Sequence, residues 1–258
     1  MKQYKKNYEI KNRAKDRLEG RYGGAIRILF LSTAISWMVR LIIRTVAGNT
    51  MNSVYAMTSS SSAATVISFV FDGLLLFAGI ILGVMNAGIT LYFLNLACEQ
   101  PFSIRDLFYG FRTDSRKILI ISAAMTICQA ICLSPGQYLF QQYLSAKSIT
   151  WLFSALAATA VGLCIYIPVS LGIAMSFYLV LDFPQNSGWE TLQLCWRIMR
   201  GQRGRLFYLE LSFLPLMLLC ILSFGIGFLW LEPYMQMTYT YFFLDLMNPQ
   251  EKEMNPPE

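Results

Sequence analysis

No histidine occurs among the 258 residues, and only 14% of them are charged. The first absence removes the commonest general base and metal ligand, and with it every Ser-His-Asp or Cys-His arrangement and the HExxH zinc motif. Phosphate-cradling loops and nucleophile elbows are lacking as well, so no catalytic set, metal site or cofactor is expected. The six cysteines, Cys98, Cys128, Cys132, Cys164, Cys195 and Cys220, contain no CxxC pair and lie in or beside apolar stretches. They read as small core residues. Cys128 and Cys132 share a helix face, but the sequence shows no further metal ligand to join them.

What the chain has instead is oil. Hydrophobic residues make up 55% of it and the mean hydropathy is +0.47, whereas soluble domains sit near 45–50% apolar and roughly 25% charged. A spanning helix needs about 20 apolar residues, and the sequence supplies several. The expected fold is all-α: a polytopic membrane protein with spans at 25–46, 65–96, 118–134, 151–181, 206–222 and 226–246, following a basic segment 1–24 and preceding a tail 247–258. Residues 48–62, rich in Ser, Thr and Asn, read as the first connection. The run 63–97 reads as one long tilted helix or a bent one, with Gly79 and Gly83 as a close-packing pair. Ser134-Pro135-Gly136 reads as a stop and Pro168 as a kink within the fourth span. Ser223 to Gly227 reads as a tight turn that divides the last apolar run in two.

Basic residues test that count, because cytoplasmic flanks carry the excess of Lys and Arg. Residues 1–27 hold nine of the 21, while 98–117 and 182–205 hold four each. The alternate connections hold Lys147 alone. Six spans, with both termini cytoplasmic, fit this pattern. The positive balance of +6 then serves topology and contact with anionic lipid headgroups at the cytoplasmic face. Nucleic acid is not an expected partner, since no basic, aromatic-interleaved soluble module is present. The N-terminus does not read as a cleavable signal peptide, because its basic region is long and no small-residue cleavage site follows the first apolar run.

The two cytoplasmic loops resemble each other. Ser103-Ile104-Arg105-Asp106 and Ser187-Gly188-Trp189-Glu190 both read as capping boxes that open short amphipathic helices. Ile104, Leu107, Phe108 and Phe111 share one face, as do Trp189, Leu192, Trp196 and Met199, and their aromatic residues are expected to face lipid. A glycine followed by basic residues ends each, and Gly20 repeats that ending before the first span. These glycines, Gly20, Gly110 and Gly201, are 90 and 91 residues apart. The spacing suggests three tandem units, each an interfacial helix followed by a transmembrane hairpin.

The stretch Met199-Arg200-Gly201-Gln202-Arg203-Gly204-Arg205-Leu206-Phe207-Tyr208-Leu209-Glu210-Leu211-Ser212-Phe213, followed by Gly225-Ile226-Gly227 and Glu232-Pro233-Tyr234, resembles the bacterial integral-membrane family catalogued as domain of unknown function 975. Ile10-Lys11-Asn12-Arg13-Ala14-Lys15 and Leu107-Phe108-Tyr109-Gly110-Phe111 fit its pattern too. Pro168-Val169 and Leu214-Pro215-Leu216 depart from it where the family tends to have Pro-Gly and Ile-Gly-Trp. The resemblance implies a six-helix fold in the bacterial plasma membrane and no established activity. A looser likeness to the membrane domain attached to some glycerophosphodiester phosphodiesterases hints at lipid-related work.

Charges within apolar spans are costly unless paired or facing a polar cavity, which makes them the functional pointers. Only twelve residues separate Arg27 from Arg40, about 18 Å of helix, so Arg40 must snorkel, thin the bilayer or find a partner. Arg40, Arg44, Asp72 and Glu232 are expected at one depth in the outer half. There they form either a polar pocket for a headgroup or solute, or a structural ion-pair cluster. Glu210, beside Arg205, reads as a snorkelled or paired surface charge. The function expected is non-enzymatic binding or movement of a lipid-like or small amphipathic molecule. A scaffold that docks partners through its amphipathic helices is the alternative, and a lipid-modifying enzyme using Asp72 and Glu232 is a third reading.

Overall fold

A computed structural model describes residues 2–3, 5–58, 61–101, 103–112, 115–248 and 250–251. Helices α1 (Asn7–Leu18), α2 (Tyr22–Thr58), α3 (Ser61–Gly83) and α4 (Met85–Ala97) lead to a 3₁₀ turn at Ile104–Phe108. Next come α5 (Tyr109–Arg112), α6 (Ser115–Ala146), α7 (Ile149–Ile173), α8 (Ser176–Asp182) and α9 (Gly188–Ile198). The chain closes with α10 (Arg203–Leu211), α11 (Leu214–Leu222) and α12 (Phe228–Met247). Strands β1 (Lys2–Gln3) and β2 (Gln250–Glu251) pair antiparallel and bring the two ends of the described chain together. Residues 249 and 252–258 of the expected tail lie outside the described residues.

Five stretches are long and apolar enough to cross a membrane: Tyr22–Ser53, Val66–Ala97, Ser115–Ala146, Ile149–Asp182 and Arg203–Leu222. The sixth expected span, α12, is outside that set for a reason its packing supplies. Its Met237, Thr238, Thr240, Phe242, Phe243 and Asp245 are buried, and it touches α1, α2, α4 and α11. A helix at the centre of a bundle can carry polar side chains that a lipid-facing helix cannot.

The span boundaries differ from those expected. The polar stretch 48–62 is not a long connection, because α2 runs on to Thr58 and α3 begins at Ser61. Its hydroxyls keep the helix satisfied: Thr45 donates to the Leu41 carbonyl at 3.0 Å, Thr50 to Val46 at 2.8 Å and Ser53 to Asn49 at 2.9 Å. The third span does not stop at Ser134-Pro135-Gly136, since α6 continues through Pro135 to Ala146. Here α6 and α7 lie backbone to backbone. A Cβ on Gly136 would meet Thr159 Oγ1 at 2.2 Å, and one on Gly162 would meet the Cys132 carbonyl at 2.1 Å. That packing outweighs the local stop signal, as a neighbouring helix does for many membrane prolines.

Three spans are interrupted, and two of the interruptions take a hydrogen bond from a neighbouring element. At Val84 the N–H bonds Ile81 at 3.1 Å instead of the carbonyl four residues back, and Ser122 of α6 donates to the freed Ile80 carbonyl at 2.7 Å. Gly83 admits Ser122 so closely that a Cβ there would lie 2.0 Å from its hydroxyl; the Gly79–Gly83 pair thus serves helix packing, as expected. The fourth span breaks at Ala174–Met175 rather than at Pro168, which stays inside α7. There the Cys195 sulfur of α9 faces the Met175 amide and the Ser176 hydroxyl. The fifth breaks at Ser212–Phe213, where Lys11 of α1 donates to the Ser212 carbonyl at 3.2 Å and sits 3.9 Å from the Phe213 ring centre. Burial there pushes the Lys11 ammonium below the ordinary lysine value.

The short helices cover the end of the bundle where β1 and β2 meet. The 3₁₀ turn and α5 pack on α4, α9 packs on α6, α7 and α8, and α1 packs on α12. Both capping boxes form: the Ser103 amide donates to Asp106 at 2.8 Å and the Ser187 amide to Glu190 at 2.8 Å. That bond holds the Glu190 carboxyl below its usual range. Leu107, Leu192 and Met199 turn inward while Phe108, Phe111, Trp189 and Trp196 stay exposed. Gly20 and Gly201 adopt left-handed backbone (φ 73° and 91°), which L side chains rarely adopt. Cys195 and Cys220 are buried as core residues, whereas Cys98 and Cys164 are exposed, contrary to the core reading. Burial pushes the Cys195 thiol up.

One buried ion pair closes this end. Arg205 of α10 meets Asp245 of α12 at 2.5 Å, with side chains 16% and 3% exposed, and also donates to the Lys5 carbonyl at 2.8 Å. The Lys5 amide in turn lies 3.3 Å from both Asp245 oxygens. Removing one partner of such a pair leaves a buried charge uncompensated, which costs about 3–5 kcal/mol. Asp245→Asn is therefore expected to lower unfolding stability in detergent micelles by about 3 kcal/mol, and a loss under about 1 kcal/mol would contradict the buried lock. Gly162→Ala forces a methyl group onto the Cys132 carbonyl and is expected to cost about 1–3 kcal/mol by the same measurement, whereas Gly48→Ala, inside α2 with open space around it, is expected to cause no loss and to gain up to about 1 kcal/mol.

Candidate functional site

The interrupted helices converge on a cavity of about 340 Å³, within the size range of small-molecule sites. Asn86 and Thr90 of α4 stand just past the first break, and Ala174 and Met175 are the second break itself. Glu210 stands two residues before the third. Tyr166 and Ser170 of α7, with Gln236 and Tyr239 of α12, complete the polar part, and Ile89, Met125, Ile173, Phe177 and Leu206 supply the apolar part.

Packing fixes this wall. Tyr178 stacks on Phe243 at 5.0 Å between ring centres, and its hydroxyl lies 3.1 Å from that of Thr240. Thr90 and Thr240 bond the carbonyls four residues back, Asn86 at 2.8 Å and Gln236 at 3.0 Å. Glu210 is partly buried, and no ion pair or hydrogen bond engages its carboxyl among the described residues. Of the two expectations for Glu210, snorkelled or paired, no pairing is seen among the described residues; the neighbouring Arg205 pairs with Asp245. A carboxylate among amide, hydroxyl and phenol groups, beside an apolar wall, matches a molecule with a polar or cationic head and an apolar body.

The four charges singled out by sequence lie elsewhere. Arg40, Arg44, Asp72 and Glu232 are all exposed, none lines this cavity, and no ion pair joins them among the described residues. Arg40 and Arg44 stand about 27 and 33 Å along α2 from Tyr22, and Asp72 about 37 Å before the end of α4.

The cavity residues were passed over because Asn86, Gln236 and Tyr166 carry no charge and Glu210 sits near a basic cluster. Their common signal is adjacency to an interruption; the first break follows Gly83 directly, while the break at Ala174–Met175 carries no proline or glycine of its own. Among the described residues no group of three His, Cys, Asp or Glu side chains comes together to hold a metal. A family profile described as "Protein of unknown function (DUF975)" matches residues 1–250. Neither the curated proteins nor the solved structures contain a match.

Proposed function

Because the chain belongs to the DUF975 family, whose description assigns no activity, we propose a function from the geometry: a six-crossing, non-catalytic membrane protein that binds, and by its interrupted helices moves, a small amphipathic molecule. The cavity containing Glu210 carries this reading. Spans broken beside a polar cavity are the arrangement by which membrane transporters place backbone and side-chain groups around a cargo. Elsewhere in a membrane, irregular backbone is not tolerated.

The orientation follows from charge. The end holding α1, the 3₁₀ turn and α9 carries most of the basic residues, which supports an orientation with this end at the cytoplasmic face of a bacterial plasma membrane. The β1–β2 pairing supports an even number of crossings, with α12 as the sixth. Each short helix rests on the second span of the hairpin before it: the 3₁₀ turn on α4, α9 on α8, and α1 on α12 of the last hairpin. That cyclic order supports three tandem units around an axis along the membrane normal.

Native mass spectrometry of gently extracted protein tests the reading. Wild-type protein is expected to retain a small molecule that Glu210→Gln and Gln236→Leu lose, while Arg40→Ala keeps it. Retention by Glu210→Gln equal to wild type, or loss in Arg40→Ala instead, would overturn the assignment of the cavity.

A further inference from the structure

A second opening, of about 520 Å³, lies between α6, α7 and α9 and meets the central cavity at Ile173. Its floor has two apolar rails. Ala124 and Cys128 are one turn apart on α6, and Val169 and Ile173 are one turn apart on α7. Leu192, Trp189 and Trp196 of α9 form the third wall. Ala124 and Cys128 lie about 13 and 20 Å along α6 from Ser115, so the trough follows the helices well into the bundle.

One edge of this trough is positively charged. Arg197 and Arg200 line it, no acidic residue does, and neither arginine enters an ion pair among the described residues. The carboxylate of α9 itself, Glu190, is engaged by the Ser187 amide. Arg203 stacks on the Trp196 ring at 3.7 Å, adding charge and covering a ring face that a choline head would otherwise use. Trp189 and Trp196, 62% and 42% exposed, present the amphipathic rings that sit at headgroup level in membranes.

From this juxtaposition we infer that the trough is a binding site for an anionic glycerophospholipid, with its phosphate on Arg197 and Arg200 and an acyl chain along the α6–α7 rails. Guanidinium groups recognise phosphate through paired N–H donors, and the apolar rails give the chain a place that a free anion would not need. The trough shares Ile173 with the Glu210 cavity, but its charged edge and its test rest on residues that do not line that cavity.

The test uses delipidated full-length protein in detergent, titrated with phosphatidylglycerol or phosphatidylcholine of equal chain length and read by native mass spectrometry. Wild-type protein is expected to retain one phosphatidylglycerol in preference to phosphatidylcholine, and Arg197→Gln with Arg200→Gln to weaken that binding by about tenfold or more. Arg105→Gln with Arg112→Gln, on the other loop, is expected to leave it unchanged. Ala124→Phe, which fills the trough and leaves both arginines, is expected to remove the bound lipid while the melting temperature holds. Equal retention of the two lipids, equal loss in both arginine pairs, or displacement of the lipid by inorganic phosphate alone would overturn the proposal. Should the first arginine pair fail to fold, Ala124→Phe decides it.

Discussion

In an apolar medium every backbone N–H and C=O must find a partner inside the protein, and a helix that breaks loses some of them. This chain breaks three of its spans and fills vacancies at two of the breaks from elsewhere: Ser122 on the Ile80 carbonyl and Lys11 on the Ser212 carbonyl. Each patch ties a span to a different neighbour. The same interruptions let polar residues gather next to them without facing lipid, which is how Asn86, Glu210 and Gln236 come to share one cavity. Architecture and candidate site therefore have a single physical origin.

That origin requires the surrounding helices to hold still, and two devices at opposite levels do so. Toward the terminal end, Arg205, Asp245 and the Lys5 backbone form a buried, hydrogen-bonded cluster. Arg17 adds to it by donating to the Leu96 carbonyl at 2.7 Å and pairing with Glu99, which fastens α1 across the end of α4. Farther along, α6 and α7 are joined by backbone contact at Gly136 and Gly162. Lipid tails are as apolar as leucine, so close van der Waals packing takes over the role that the hydrophobic effect plays in water.

Much of the fold was legible because its signals are compositional. Apolar length gave the hairpins, turn residues gave the Ser223–Gly227 reversal, and S-x-x-D and S-x-x-E gave both capping boxes. The errors came where tertiary packing overrides local preference. Pro135 looked like an end because a stop signal is local, whereas the α7 backbone that accommodates it is 27 residues away at Gly162. The polar stretch after Gly48 looked like a loop because its hydroxyls bond their own helix, which no composition reveals. The candidate site was the least legible part. Charge drew the reading to Arg40, Arg44, Asp72 and Glu232, yet the residues that meet in the cavity are mostly neutral and come from six helices.

The central claim is that a water-accessible polar cavity exists where the spans break. In a cysteine-free background, single cysteines at Glu210 and Asn86 are to be compared with one at Leu222, which is exposed on the outer surface of α11. Their reaction with a small membrane-impermeant thiol reagent is followed in reconstituted vesicles. The account predicts that Glu210→Cys and Asn86→Cys are modified in vesicles of at least one orientation and that Tyr166→Trp, which narrows the cavity, slows both. Silence at both positions in either orientation, under conditions that label an exposed control at Glu19→Cys, would contradict it.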